Sequence, residues 1–261
     1  MTVSLKGRFA LVCGASRGIG LACAERIAGH GASVLLVARD EERLARVVEG
    51  LNRDFGQSHR YLAADLSQLE VAISRIEKAL ADQPVEILIN NTGGPPPGPI
   101  LEADWDAFLD GMRAHLAVNH MLVKRCLPGM RASGYGRIVN IVSTSVREPL
   151  PGLGVSNTVR AAVAAWAKTL AGELGPEGIT INNVLPGFTD TDRLRSLIAS
   201  RAAEQGTSVE KMASSMEASV PMCRFGEARE VAAAAAFLAG PDASYITGTS
   251  LAVDGGRTRA L

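Results

Sequence analysis

Residues 8–31 read RFALVCGASRGIGLACAERIAGHG. The run ends in Cys13, three glycines follow at Gly14, Gly18 and Gly20, and a helix-spaced apolar stretch closes at Gly31. A short, continuously apolar run predicts a strand buried on both faces, and the glycine after the periodic stretch predicts a helix stop. Glycines between a strand and a helix let the backbone turn tightly and approach a pyrophosphate, which then rests on the helix N-terminus. A glycine-rich turn without a ligand is the other reading. Its position between the first strand and the first helix favours the nucleotide, with Gly14, Ser16, Arg17, Gly18, Ile19 and Gly20 as its contacts.

The same alternation repeats outward from this turn. ASVLLVAR is a second buried strand, followed by the charged helix DEERLARVVEGL. HRYLAADL and VEILINN predict strands three and four around a helix from Ser67 to Ala81. After the loop NTGGPPPGPI comes one long helical stretch from Glu102 to Met130. GRIVNIVS, GITINNVL and SLAVDGG complete the strands, with a helix opening at GVSNTVRAAV, residues 154–163. Apolar strands each followed by a helix predict an α/β fold, a single Rossmann-like domain with a doubly wound parallel sheet of about seven strands. The polar, helical segment from Thr189 to Val220 is inserted before the last helix, where an excursion covers a site or is disordered.

Composition narrows the partners. Among 261 residues, 27 basic side chains balance 27 acidic ones, which argues against nucleic acid or an anionic membrane as partner. No segment reaches the roughly 18 apolar residues of a span, and the N-terminus lacks a signal-peptide core, so a cytoplasmic protein is expected. Cys13, Cys23, Cys126 and Cys223 show no paired spacing and read as free thiols. His30, His59, His115 and His120 form no ligand pattern, so no metal is expected.

The end of strand two bears on which dinucleotide binds. An acid there would bind the ribose hydroxyls of NAD, but the chain reads Val37-Ala38-Arg39-Asp40. Arg39 with Arg17 would suit a 2′-phosphate through their rigid forks, which favours NADP(H) over NAD(H). Two solvated surface arginines are the alternative.

Taken together, CGASRGIG, Asp65-Leu66, NNTGG, GRIVNIVS, NNVLPGFTDT and the ending RFGEAREVAAAAAFLAGPDASYITGTSLAVDGG resemble the short-chain dehydrogenase/reductase (SDR) family from end to end. The resemblance implies a homotetramer or homodimer, a nicotinamide cofactor and a small-molecule substrate. It places Asp65 and Leu66 on the adenine side and Asn91 and Gly93 along the cofactor. Pro186, Gly187, Phe188 and Thr191 would face the nicotinamide carboxamide.

It also implies a serine that polarises the substrate carbonyl and a Tyr-x-x-x-Lys pair on the next helix. Ser143 stands in the serine position, but the tyrosine position holds Ser156 and the lysine position Arg160. A phenol beside an ammonium is a usable acid; a serine hydroxyl is far weaker, and arginine stays charged. The family's asparagine position falls on His115 when counted back from Leu127-Pro128, and near Met112 when counted forward from Trp105. His115 reads either as a proton donor or as a helix-face or interface histidine. The expectation is an NADPH-dependent reductase of a carbonyl or conjugated enone with non-standard proton delivery. The alternative is a weak or inactive NADP(H)-binding protein, a sensor or an inactive subunit.

Overall fold

The computed structural model describes residues 4–260. Its strands are β1 (Phe9–Cys13), β2 (Ser33–Ala38), β3 (Arg60–Ala63), β4 (Ile87–Asn90), β5 (Gly136–Ile141), β6 (Ile179–Pro186) and β7 (Ser250–Val253). They form one sheet in the order β3-β2-β1-β4-β5-β6-β7, every pairing parallel. The helices are α1 (Gly18–Gly29), α2 (Glu41–Gly50), α3 (Leu69–Leu80), α4 (Trp105–Met112), α5 (Val118–Ser133), α6 (Gly154–Leu174), α7 (Asp192–Glu204), α8 (Val209–Ala218) and α9 (Ala228–Ala239).

The apolar strands are explained by two helix layers. Ala10 and Val12 of β1 join the core beneath α1 and α9, and Phe9, Leu11 and Cys13 join the core beneath α3, α5 and α6. Alternate residues point to opposite faces of a strand, so a doubly covered strand must be apolar throughout. Leu11 is fully buried; truncating it to alanine would cost about 2–5 kcal/mol. Local signals agree: Asp40 caps α2 by accepting from Arg43 N at 2.9 Å, with Glu41 and Glu42 in the first turn.

Three expectations change in detail. The third strand is shorter than HRYLAADL, covering Arg60–Ala63. The long helix from Glu102 to Met130 is interrupted by a π-helical segment at Arg113–Ala117, lying where the counts from Trp105 and from Pro128 disagree. The Thr189–Val220 excursion holds α7 and α8, which bury Leu194, Ile198, Ala202, Met212 and Met216 in a small core of their own. Cys13, Cys23 and Cys126 are buried free thiols and Cys223 is an exposed one. Among the described residues no cluster of His, Cys, Asp and Glu could hold a metal, and no helix is long and apolar enough to cross a membrane.

Candidate active site

The chain leaves β1 toward β2 and β3, then returns to place β4 on the other side of β1. The carboxyl ends of β1 and β4 therefore flank the point where strand order reverses, the usual ligand crevice of an open α/β sheet. Asn91, just past β4, donates from Nδ2 to Cys13 O at 3.3 Å and Gly14 O at 3.4 Å. That close approach excludes a side chain: a Cβ on Gly14, at φ +60°, would lie 2.6 Å from Asn91 O. A Cβ on Gly20 would lie 2.2 Å from Gly14 O. Gly18 sits at φ +57° beneath Thr191, whose methyl would be 3.4 Å from an added Cβ.

Arg17 occupies the N-cap position of α1 without a side-chain cap, and the first turn holds no acid. Its free N–H groups and positive dipole end suit an anion. Nothing about the donor set conflicts with a dinucleotide pyrophosphate, so the turn fits the group that its sequence implies. Arg17 and Arg39 engage different partners. Arg17 pairs with Asp192 of α7 at 3.3 Å, whereas Arg39 is exposed at the end of β2, within electrostatic reach of Asp65. Two hydrogen bonds from Ser67 hold the Asp65 carboxyl below its usual range, and Arg39 adds to that.

An amide ladder ties the next four strands together. Asn90 Nδ2 donates to Asn140 Oδ1 at 2.8 Å, Asn140 Nδ2 to Asn183 Oδ1 at 2.9 Å, and Asn183 Nδ2 to Ser250 Oγ at 3.1 Å. These residues are register partners across β4, β5, β6 and β7. The ladder fixes where β5 ends, and Ser143 follows two residues beyond it. Ser143 Oγ accepts from Ser145 N at 3.1 Å, leaving the hydroxyl proton free to donate.

Ser156 and Arg160 lie on the inward face of α6, 3% and 8% exposed. Arg160 Nε donates to Ser156 Oγ at 3.1 Å and Nη1 to Val142 O. Burial and the charge of Arg193 pull the Arg160 guanidinium down to about 10, so it remains a cation at neutral pH. His115 lies in the π segment, 4% exposed, with Nδ1 paired to Thr92 Oγ1 at 2.8 Å. Its Nε2 is buried with no hydrogen-bond partner, with the Gly93 backbone nearby. Burial, then the cations Arg160 and Arg193, push its imidazole down to about 3, which makes it neutral.

A cleft of about 190 Å³ opens over these groups. Asn91, Ser143, Ser156, Arg160, Thr191 and the Pro186-Gly187-Phe188 turn all reach its wall, whereas His115, Gly93 and the adenine-side residues do not. No tyrosine lines it. Tyr135 donates its hydroxyl to Ala239 O at 2.6 Å, Tyr61 lies on β3 and Tyr245 is fully exposed. Sequence reading assigned no part to Thr92 and Arg257. A loop position and a tail reach the cleft only through tertiary folding, and their surroundings in the chain carry no signal of it.

Comparison with known proteins agrees with the geometry. Residues 14–258 match the family model described as enoyl-(acyl carrier protein) reductase. The 3-oxoacyl-[acyl-carrier-protein] reductase FabG of Vibrio cholerae is 36% identical over 258 residues, covering 97% of this chain and 98% of the relative. The L-sorbose reductase of Gluconobacter frateurii, solved with NADPH and L-sorbose, superposes with a TM-score of 0.93 at 29% identity over the whole of both chains. YwfH, an NADPH-dependent reductase involved in bacilysin biosynthesis, gives 0.91 at 30% identity, covering 97% of this chain and 99% of its own. Sheet order, glycine turn and end-to-end similarity together make this chain a member of the short-chain dehydrogenase/reductase family.

Proposed function

We propose that the chain is an NADP(H)-dependent reductase of a carbonyl or conjugated enone whose proton delivery uses no tyrosine. The observation that carries this reading is the convergence of Ser143, Ser156 and Arg160 on one cleft beside the strand-order reversal. The NADPH-binding relatives support the choice of cofactor. Ser16 to Gly20 would hold the pyrophosphate, Arg17 and Arg39 the 2′-phosphate, and Asp65 and Leu66 the adenosine. Asn91 and Gly93 would hold the nicotinamide ribose, and Pro186, Gly187, Phe188 and Thr191 the carboxamide. The α7–α8 segment, 189–220, covers the cleft; its Thr191, Arg193, Leu194 and Leu197 line the wall.

Bound there, NADPH supplies a hydride to substrate carbon. Ser143 donates a hydrogen bond to the substrate oxygen. Arg160 holds a fixed positive charge where negative charge develops, and in a water-poor site such charges act strongly. Ser156 occupies the family's tyrosine position. Its oxygen accepts from Arg160, so its own proton is available to relay from water to a product oxyanion. With an enone, the enolate held by Ser143 and Arg160 takes its proton at carbon from water. His115 is a positioning group in this scheme. A neutral imidazole held by Thr92 is no acid at neutral pH, and it does not reach the cleft. Buried free thiols fit a reducing cytoplasm, and exposed Leu101 and Trp105 would be covered in a homodimer or homotetramer.

The absence of tyrosine from the cleft wall favours a second reading, an NADP(H)-binding protein that does not turn over. NADPH oxidation across ketones, 3-oxoacyl thioesters and enones, for wild type and Ser143→Ala, separates the two. The reductase reading expects turnover with at least one class, lowered by about 10²–10³ in Ser143→Ala while NADPH affinity is unchanged. Tight NADPH binding with no turnover on any class would instead favour the second reading.

A further inference from the structure

We propose that the cleft takes a substrate that carries its own carboxylate, held between Arg193 and Arg160 above Gly94, with Arg257 as a third cation in the lining. This rests on the reductase reading and names its substrate class.

Three arginines line the cleft and no acidic residue does. Arg160 is buried, yet its hydrogen bonds go only to neutral oxygens, Ser156 Oγ and Val142 O. A buried charge without a counter-charge is costly, and it persists where a ligand supplies the missing partner. Arg193 is likewise without a carboxylate among the described residues. The acids beside it in the chain are already engaged: Asp190 pairs with Arg195 at 2.9 Å, and Asp192 pairs with Arg195 at 3.0 Å and Arg17 at 3.3 Å. Arg193 keeps only a long bond to Gly94 O at 3.3 Å.

The two forks meet at one point. A Cβ built on Gly94 would lie 2.6 Å from Arg193 Nη2 and 2.9 Å from Arg160 Nη2. Both cations also depress His115, as an unneutralised positive field would. A carboxylate placed between the forks takes charge-assisted bonds from both. Arg193 is exposed at the mouth of the cleft, where solvent weakens its field but a ligand can enter. Arg257, its guanidinium 4.2 Å above the Phe188 ring, adds a third cation to the lining. Leu150, Leu153 and Leu197 offer an apolar wall to the rest of the substrate.

Calorimetry with hexanoate and its neutral counterpart hexanamide tests this on protein saturated with NADP+. Hexanoate is expected to bind wild type about tenfold more tightly than hexanamide. The preference should fall below about threefold in Arg193→Gln, shrink in Arg257→Gln, and weaken as salt rises. Circular dichroism and NADP+ affinity are measured for both variants. Equal binding of the two probes, or a preference unchanged in both variants, overturns the proposal. Binding of hexanoate only to protein free of NADP+ also overturns it, because the anion site would then belong to the cofactor. No turnover is needed for any of these readings. An inactive protein with the hexanoate preference intact would sink the reductase reading and leave the anion site standing.

Discussion

The amides of Asn90, Asn140 and Asn183 and the guanidinium of Arg160 are all buried near the carboxyl ends of the same strands, but their surroundings differ. Each amide meets its neighbour across a strand pair, and of the ladder atoms only Asn90 Oδ1 is left without a partner. Arg160 meets two neutral oxygens and a second cation. A neutral network whose amides pair with one another adds stability and fixes register, whereas a charge left open to a cleft adds little stability and is free for chemistry. Stability and function are thus divided between two polar clusters on the same strand ends.

The sharpest way to break that contrast is Asn140→Leu. It strands Asn90 Nδ2 and Asn183 Oδ1 together, so a loss of about 3 kcal/mol in denaturant unfolding is expected. A loss under about 1 kcal/mol would mean that the ladder is ornamental.

His115 sharpens the contrast through pH. Its imidazole is held near about 3, far below the usual histidine range, so between those values the unfolded chain binds a proton that the folded chain does not. Its contribution is whole above about pH 6.5 and is lost as pH falls toward about 3. At pH 5 the loss is about 2 kcal/mol, and His115→Gln should remove that much of the acid sensitivity seen in pH-dependent thermal unfolding. His59, also depressed by burial, would retain its own share.

Installing the family's pair, Ser156→Tyr with Arg160→Lys, should raise reduction of a simple ketone about tenfold, because a phenol beside an ammonium is the better acid. Steady-state NADPH oxidation reads this. An unchanged or lower rate in a folded double variant would show that the cleft is tuned to serine and arginine.

The smallest effect expected is on stability. Arg160→Met should shift unfolding by less than about 1 kcal/mol, since relief of charge burial offsets two lost hydrogen bonds. Should Arg160→Met unfold the protein, the guanidinium would be structural and the contrast would collapse.

Most of the fold was legible because its signals are local. Runs such as FALVC and SVLLVA are apolar in every residue but Ser33, which marks strands covered on both faces, and Gly14, Gly18 and Gly20 mark a turn whatever surrounds it. The π segment at Arg113–Ala117 was visible only as two counts that disagreed, since a wider helical turn changes register without changing composition. That Ser156 and Arg160 share a face followed from their spacing of four along a helix, whereas the burial of that face came only with the packing of α6 on the sheet.

From the sequence come the class of fold, the order of elements and the glycine cradle. Each depends on residues adjacent in the chain or repeating at a fixed period, and the chain carries that information directly. Only the tertiary structure brought Arg193 beside Arg160, 33 positions away in the numbering, seated His115 on Thr92, and lined up three asparagines from three strands. Those contacts depend on how helices pack on the sheet and on which strands become neighbours. No local pattern encodes either, because the burial that creates them is shared by the whole fold.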